Sequence, residues 1–158
     1  MKCKLCNETD SSKFYSYSKI KCKKCCSAAA NERYHKLSEH DKNIFKQWQD
    51  DNILLYRFRS AKSRAIRKKI DFTITEEDIQ SIYDIQCGKC FYTGNVMTMG
   101  RDDYIYSVSI DRIDSTQGYT LHNVVLCCSA INYMKRKLDI PSFMTMCTNV
   151  VDYNTSKI

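Results

Sequence analysis

Asp111, Arg112, Asn132 and Lys135 fall within one stretch, Tyr106 to Lys135, that reads YSVSIDRIDSTQGYTLHNVVLCCSAINYMK. One carboxylate, one carboxamide oxygen and open water positions suit a hard divalent cation such as Mg2+ or Mn2+, which keeps much of its own hydration. Such an ion beside cationic side chains suits phosphodiester hydrolysis. The metal stabilises the leaving oxygen, Arg or Lys offsets phosphate charge, and a base activates water.

A second chemistry lies at the start of the chain. Cys3-Lys-Leu-Cys6 and Cys22-Lys-Lys-Cys25 are two C-x-x-C pairs separated by fifteen residues, the arrangement of a zinc ribbon with one tetrahedral thiolate site for Zn2+. So short a piece lacks the apolar content to fold alone, so metal binding would supply most of its folding free energy. Cys26, beside Cys25, reads as a spare thiol. Lysines 13, 19, 21, 23 and 24 surround the ribbon with Phe14, Tyr15 and Tyr17 among them. The lysines suit phosphate contact, and the aromatics suit a very small core. Cys87-Gly-Lys-Cys90 is a third C-x-x-C. With Cys127 and one further ligand it leaves a second zinc site open, although packed reduced thiols are the preferred reading.

The elements that must position these groups follow from periodicity. In Tyr106 to Asp111 a period of two sets Tyr106, Val108 and Ile110 on one face and Ser107, Ser109 and Asp111 on the other. Gln117-Gly118 signals a turn, and the β-branched Val124-Val125 with Leu126-Cys127 suits a short buried strand. Ser129 is expected to cap a helix that packs Ile131, Met134 and Leu138 inward and sets Asn132, Lys135 and Arg136 on another flank. A hairpin folded over this helix brings Asp111 and Asn132 together, with Arg112 and Lys135 nearby.

The stretch resembles the HNH, or ββα-metal, endonuclease superfamily, in particular small phage and large-virus versions reading roughly DRID…GYT…NVV…N..K. The resemblance runs from Gln86 to about Tyr153 and includes QCGKCFYTG at Gln86 to Gly94. It implies that Asp111 and Asn132 bind the catalytic ion and that Asn123 pins the loop between the strands. Arg112 and Lys135, the cations beside that ion, are expected to hold the scissile phosphate. The superfamily usually has His, its general base, directly after the metal-binding Asp. Here that residue is Arg112, which is effectively never deprotonated. Some members with Arg at this position are thought to use a loop Tyr, which makes Tyr119 the first candidate base and His122 the second. N-terminal C-x-x-C ribbons also accompany many phage members of the superfamily.

Elsewhere the chain supplies scaffold and charge. About Ser27 to Gln49 is expected to be helical, with Tyr34, Leu37, Phe45 and Trp48 as an intermittent apolar stripe and His35 and His40 on the surface. After Asp50-Asp51-Asn52 comes the most basic segment, containing Arg57, Arg59, Lys62, Arg64, Arg67, Lys68 and Lys69. It is expected to track phosphates without reading sequence. Thr75 followed by Glu76, Glu77 and Asp78 marks a helix start, which makes those acids helix electrostatics rather than a catalytic pair. Ser142 is expected to cap a last helix whose Phe143, Met146, Val150 and Val151 close over the core, with fraying from Asn154.

The 158 residues, 43% hydrophobic with one Pro and four Gly, argue against a disordered or low-complexity chain. The net charge of +7 favours a polyanionic partner. No apolar run is long enough to span a membrane and the start is unlike a signal peptide, so an intracellular protein is expected. The fold class expected is α+β: a zinc ribbon over 1–27, a basic helical connector over 28–70 and an HNH nuclease domain over 71–158. The function expected is a Mg2+- or Mn2+-dependent DNA endonuclease acting on double-stranded DNA, with a homodimer left open. The alternative is a catalytically impaired, HNH-derived DNA-binding protein.

Overall fold

A computed structural model describes residues 1–15 and 20–157. Tyr17 and Lys19, two of the residues expected around the ribbon, lie outside them. The fold is α+β. Among the described residues there are six α-helices, α1 (Lys23–Lys36), α2 (Glu39–Asp51), α3 (Ile53–Lys68), α4 (Glu76–Ile85), α5 (Ser129–Lys135) and α6 (Ile140–Thr155). The sheet has two strands, β1 (Val108–Arg112) and β2 (Val124–Cys128).

The chain forms two compact units, Met1–Gln47 and Trp48–Ile158. The division falls inside α2, earlier than the boundary expected after residue 70. The basic helix α3 therefore belongs to the second unit, because Ile53, Phe58, Ala61 and Ala65 are buried in its core.

In the first unit, a small cluster of Cys3, Phe14 and Cys22 is buried, with Cys25 packed against it. The Sγ atoms of Cys3, Cys6, Cys22 and Cys25 all lie within 4.8 Å of one another. Tetrahedral zinc with Zn–S bonds near 2.3 Å needs sulfurs roughly 3.8 Å apart, so the donor set fits that ion. The backbone N–H of Cys22 donates to Cys3 Sγ at 3.4 Å and is the chief reason the Cys3 thiol is lowered to about 6. The Cys25 thiol is pushed up to about 12, chiefly by its hydrogen bond with Cys6. Four thiols packed this tightly disfavour joint ionisation unless a cation offsets the charge. Beyond the ribbon, the single expected helix is interrupted at Leu37-Ser38, where Ser38 Oγ accepts from the Asp41 N–H at 3.1 Å. Tyr34, Leu37 and Phe45 are exposed, so this stripe buries nothing within the unit.

In the second unit, β1 and β2 pair antiparallel, with Asp111 opposite Val125 and Arg112 opposite Val124. Val108 and Ile110 point into the core as the alternation predicts, and β2 is buried throughout. Two short strands are marginal alone, and here α3 and α4 cover them. Thr75 caps α4 in a reciprocal box with Asp78, and Ile79 and Ile82 are buried. Ala61 and Ala65 on α3 are small enough to bring that helix close to β1.

Two helices differ from expectation. In α5 Ile131 packs against the core as expected, but the fully buried residue is Lys135, whereas Met134 and, beyond the helix, Leu138 are exposed. α6 is capped by Asp139, whose side chain accepts from the Ser142 N–H, and it remains helical through Thr155. Only Phe143 of its apolar stripe is buried. Met146, Val150 and Val151 are exposed, so α6 does not close over the core.

The purified protein is expected to carry one zinc per chain, lost on prolonged chelation or in Cys25→Ser. Metal analysis should show the stoichiometry, and circular dichroism of the chelated protein should show loss of helix and thermal stability in the first unit.

Candidate active site

Asp111 and Asn132 open on one cavity of about 560 Å³, lined also by Arg64, Lys68, Ser109, Arg112, Tyr119, Arg136 and Lys137. β1 carries Asp111, and α5, which follows β2 directly, carries Asn132. The Asn132 amide Nδ2 donates to Ser109 Oγ at 2.9 Å and to the Ile110 carbonyl at 3.1 Å. Both donor hydrogens are thus committed, which leaves Oδ1 as the group this side chain can offer a ligand.

Asp111 is buried and held by one oxygen. Its Oδ2 accepts from the Tyr92 hydroxyl at 2.7 Å and lies 3.1 Å from Lys135 Nζ. Oδ1 takes no hydrogen bond from any described residue. Lys135 has no solvent exposure, and its ammonium also donates to the Arg112 carbonyl at 3.1 Å. It does not line the cavity, so the structure directs it at Asp111 rather than at an incoming phosphate. The Tyr92 phenol is pushed well above its ordinary range, first by burial and then by its bond to Asp111, so it remains a donor.

The loop between the strands is cross-tied by Asn123. Asn123 Oδ1 accepts from the Asp114 N–H at 2.8 Å, while its Nδ2 donates to the Asp114 and Gly118 carbonyls at 3.0 and 2.8 Å. At Gly118 a Cβ would stand 2.7 Å from the Asp71 carbonyl, so only glycine passes there. The approach lets Tyr119 pair with the chain at Asp71–Thr73: its N–H donates to the Asp71 carbonyl at 2.8 Å, and its carbonyl accepts from the Thr73 N–H at 3.0 Å. Its ring packs 5.1 Å from that of Phe72, and the Arg112 guanidinium sits over it at 5.0 Å. Arg112 also donates to the Gln117 carbonyl. Tyr119 thus reaches the cavity, whereas His122 is exposed and does not line it.

Of the seven basic residues expected to contact DNA, Arg64 and Lys68 line the cavity. Arg57 turns inward to donate to Ser107 Oγ at 2.9 Å, and burial lowers its guanidinium from the ordinary value. Arg59 lies 3.9 Å from Glu76, and Lys62 lies over the Phe58 ring. Arg67 and Lys69 are exposed on the surface.

Cys87, Cys90 and Cys127 form no metal-ligating group among the described residues. Among the described residues, the cysteines at the ribbon are the one His, Cys, Asp or Glu grouping at metal-ligating distance. The Cys87 thiol is exposed and directed at the Ile85 carbonyl, Cys90 Sγ accepts from the Cys128 N–H, and burial pushes the Cys127 thiol far up. Cys90 and Cys127 are buried thiols and Cys87 an exposed one, and the turn from Cys87 to Cys90 serves another end. Gln86 pairs through its side-chain amide with both backbone groups of Leu126 on β2, at 2.8 and 2.9 Å, and the Phe91 N–H donates to the Leu126 carbonyl at 3.0 Å. This anchors the loop that delivers Tyr92 to Asp111. Tyr92 carried no signal in the sequence beyond its place in the quoted QCGKCFYTG lead-in.

No protein-family profile matches the chain. It is 28% identical over 125 residues to uncharacterized protein R423 of Acanthamoeba polyphaga mimivirus; the aligned part is 79% of this chain and 22% of the viral protein, so the chain spans a small part of that relative. Among solved structures, it is similar to the rare-cutting HNH restriction endonuclease PacI, with a TM-score of 0.46 and 18% identity over 99% of this chain and 97% of that one. No helix among the described residues is long and apolar enough to cross a membrane.

Lys135→Ala should destabilise the second unit by about 3–5 kcal/mol, because it leaves a buried carboxylate unpaired. Asn123→Ala should cost about 2 kcal/mol or more, since three backbone groups lose their partner. Urea unfolding followed by near-UV circular dichroism measures both.

Proposed function

We propose that the chain is a divalent-metal-dependent endonuclease that hydrolyses phosphodiester bonds of double-stranded DNA at the Asp111–Asn132 cavity. The observation that carries this reading is the lining of that cavity. One carboxylate faces five cationic side chains, Arg64, Lys68, Arg112, Arg136 and Lys137. Such a rim attracts a polyanion, and the one acidic group within it is placed to hold a cation.

Asp111 Oδ1 and Asn132 Oδ1 are the two oxygens that would hold Mg2+ or Mn2+, and two protein oxygens with the rest water suit such an ion. Once bound, the ion supplies Lewis-acid stabilisation of charge on the leaving oxygen. The remaining work falls to the chain. Arg112 neutralises the scissile phosphate, and Arg64 and Lys68 hold neighbouring phosphates along the strand. Tyr119, fixed by its backbone pairing and by the guanidinium over its ring, takes the proton of the attacking water. His122 is the second candidate base and would have to reach the cavity by loop movement. Lys135 acts on Asp111 rather than on DNA. The ribbon cysteines Cys3, Cys6, Cys22 and Cys25 would hold a structural Zn2+.

The test is incubation of zinc-loaded protein with supercoiled plasmid in Mg2+, in Mn2+ and in EDTA. Nicking should require the divalent ion and should be lost in Asn132→Ala and in Asp111→Asn, the latter chosen because Asp111→Ala would strand a buried ammonium. Tyr119→Phe should reduce the rate by roughly 10²–10⁴-fold, the range for a general base, with His122→Ala close to wild type. Plasmid that shifts in a gel but is never cut by wild type in either ion would replace this reading with that of an HNH-derived DNA-binding protein.

A further inference from the structure

Both groups that hold Asp111 bind the same oxygen. The Tyr92 hydroxyl and the Lys135 ammonium converge on Oδ2 at 2.7 and 3.1 Å, and each is itself anchored. Lys135 is tied to the Arg112 carbonyl at 3.1 Å and lies 5.8 Å from the Tyr92 ring centroid. The Tyr92 ring is wedged edge-on between Phe91 and Phe143, at 5.1 and 6.1 Å. Phe143 is the one buried side chain of α6, so the helix that leaves its remaining apolar face exposed is docked where it braces Tyr92.

We propose that Tyr92 and Lys135 are positioning residues that confine Asp111 to a single cation-facing oxygen and so set the site's preference for small, strongly hydrated divalent ions over Ca2+. The inference rests on the nuclease reading and specifies the ion that its site takes. Ca2+ is bound by six to eight oxygens, with carboxylates often bidentate, whereas Mg2+ and ions of its size accept six ligands, most of them water. With Oδ2 occupied by two donors, Asp111 offers one oxygen. Asn132, with both amide hydrogens spent on Ser109 and Ile110, offers one more. Among the described residues no other carboxylate lines the cavity. An ion that needs many carboxylate and carboxamide oxygens finds one of each, and the ammonium beside Oδ2 already offsets much of the carboxylate's charge. Tyr92 is the cleaner of the two to test, because Tyr92→Phe removes the hydroxyl and keeps the ring that Phe91, Phe143 and Lys135 contact.

The experiment titrates Mn2+ and Ca2+ into zinc-loaded full-length protein by calorimetry, for wild type, Tyr92→Phe and Asp111→Asn, without DNA. Wild type should bind Mn2+ more tightly than Ca2+, and Asp111→Asn should lose this binding, which separates it from any association at the ribbon. Tyr92→Phe should narrow the Mn2+-to-Ca2+ affinity ratio by roughly tenfold, the lower end of what removing a partner of a metal ligand costs. Its kcat for plasmid nicking in Mg2+ should fall, with KM for DNA and DNA binding in EDTA unchanged. A folded Tyr92→Phe protein with the wild-type affinity ratio and kcat overturns the positioning role and leaves the nuclease reading intact. Wild type that binds neither ion above the Asp111→Asn background overturns both.

Discussion

A lysine ammonium with no exposure to solvent must find its partners inside the protein, and at Lys135 this requirement organises the site. An isolated charge cannot remain buried, so groups from two elements have to meet around it: Asp111 and the Arg112 carbonyl from β1, and the Tyr92 ring and hydroxyl from the loop after α4. Replacing such a pair by apolar residues often costs little stability, whereas losing one member costs much. Its effect here is therefore geometric. It sets the rotation of α5 about its axis, and that rotation places Asn132, three residues earlier, at the cavity.

The rest of the second unit holds this arrangement in register. A hairpin of two five-residue strands has little intrinsic stability. Its free edge at Leu126 is closed by the Gln86 amide, which pairs with the strand much as another strand would, and its long connection is cross-tied by Asn123. On α3, Ala61, Arg64, Ala65 and Lys68 form one i, i+3, i+4, i+7 stripe. The two alanines are buried against the core, and the two long cations, at the edge of the same stripe, extend to the cavity. One helix thus supplies both the close packing and part of the basic rim.

Much of this was readable in the sequence wherever a local rule governed the outcome. The strand alternation at Val108 and Ile110, the Thr75–Asp78 box and the two C-x-x-C pairs each depend on neighbours a few residues away or on a fixed spacing. The failures share the opposite property. Helical periodicity pointed to Ile131, Met134 and Leu138 as the inward face of α5, and Ile131 does pack against the core, but a long-range ion pair turned Lys135 inward and left Met134 and Leu138 exposed. The α6 stripe had the right period and no surface to cover beyond the Phe143 contact with Tyr92. Cys87, Cys90 and Cys127 had ligand chemistry but not convergence, because backbone hydrogen bonds use that turn to present Tyr92. Composition assigned α3 to a connector, while its buried alanines and Phe58 place it in the core.

Tyr92 shows why a catalytic-looking tyrosine and a structural one cannot be separated by sequence. Tyr92, half-buried, and Tyr119, buried, are phenols in loops beside the same strand, and both lie near a cation, Lys135 for one and Arg112 for the other. The difference lies in what the hydroxyl meets. That of Tyr92 donates to a carboxylate, an arrangement that favours the neutral phenol and excludes it as a base. That of Tyr119 has no partner among the described residues, in a cavity where Arg112 lies over its ring and a cation would add further positive charge. The two phenols therefore differ in what surrounds the hydroxyl, a carboxylate for Tyr92 and the cavity for Tyr119.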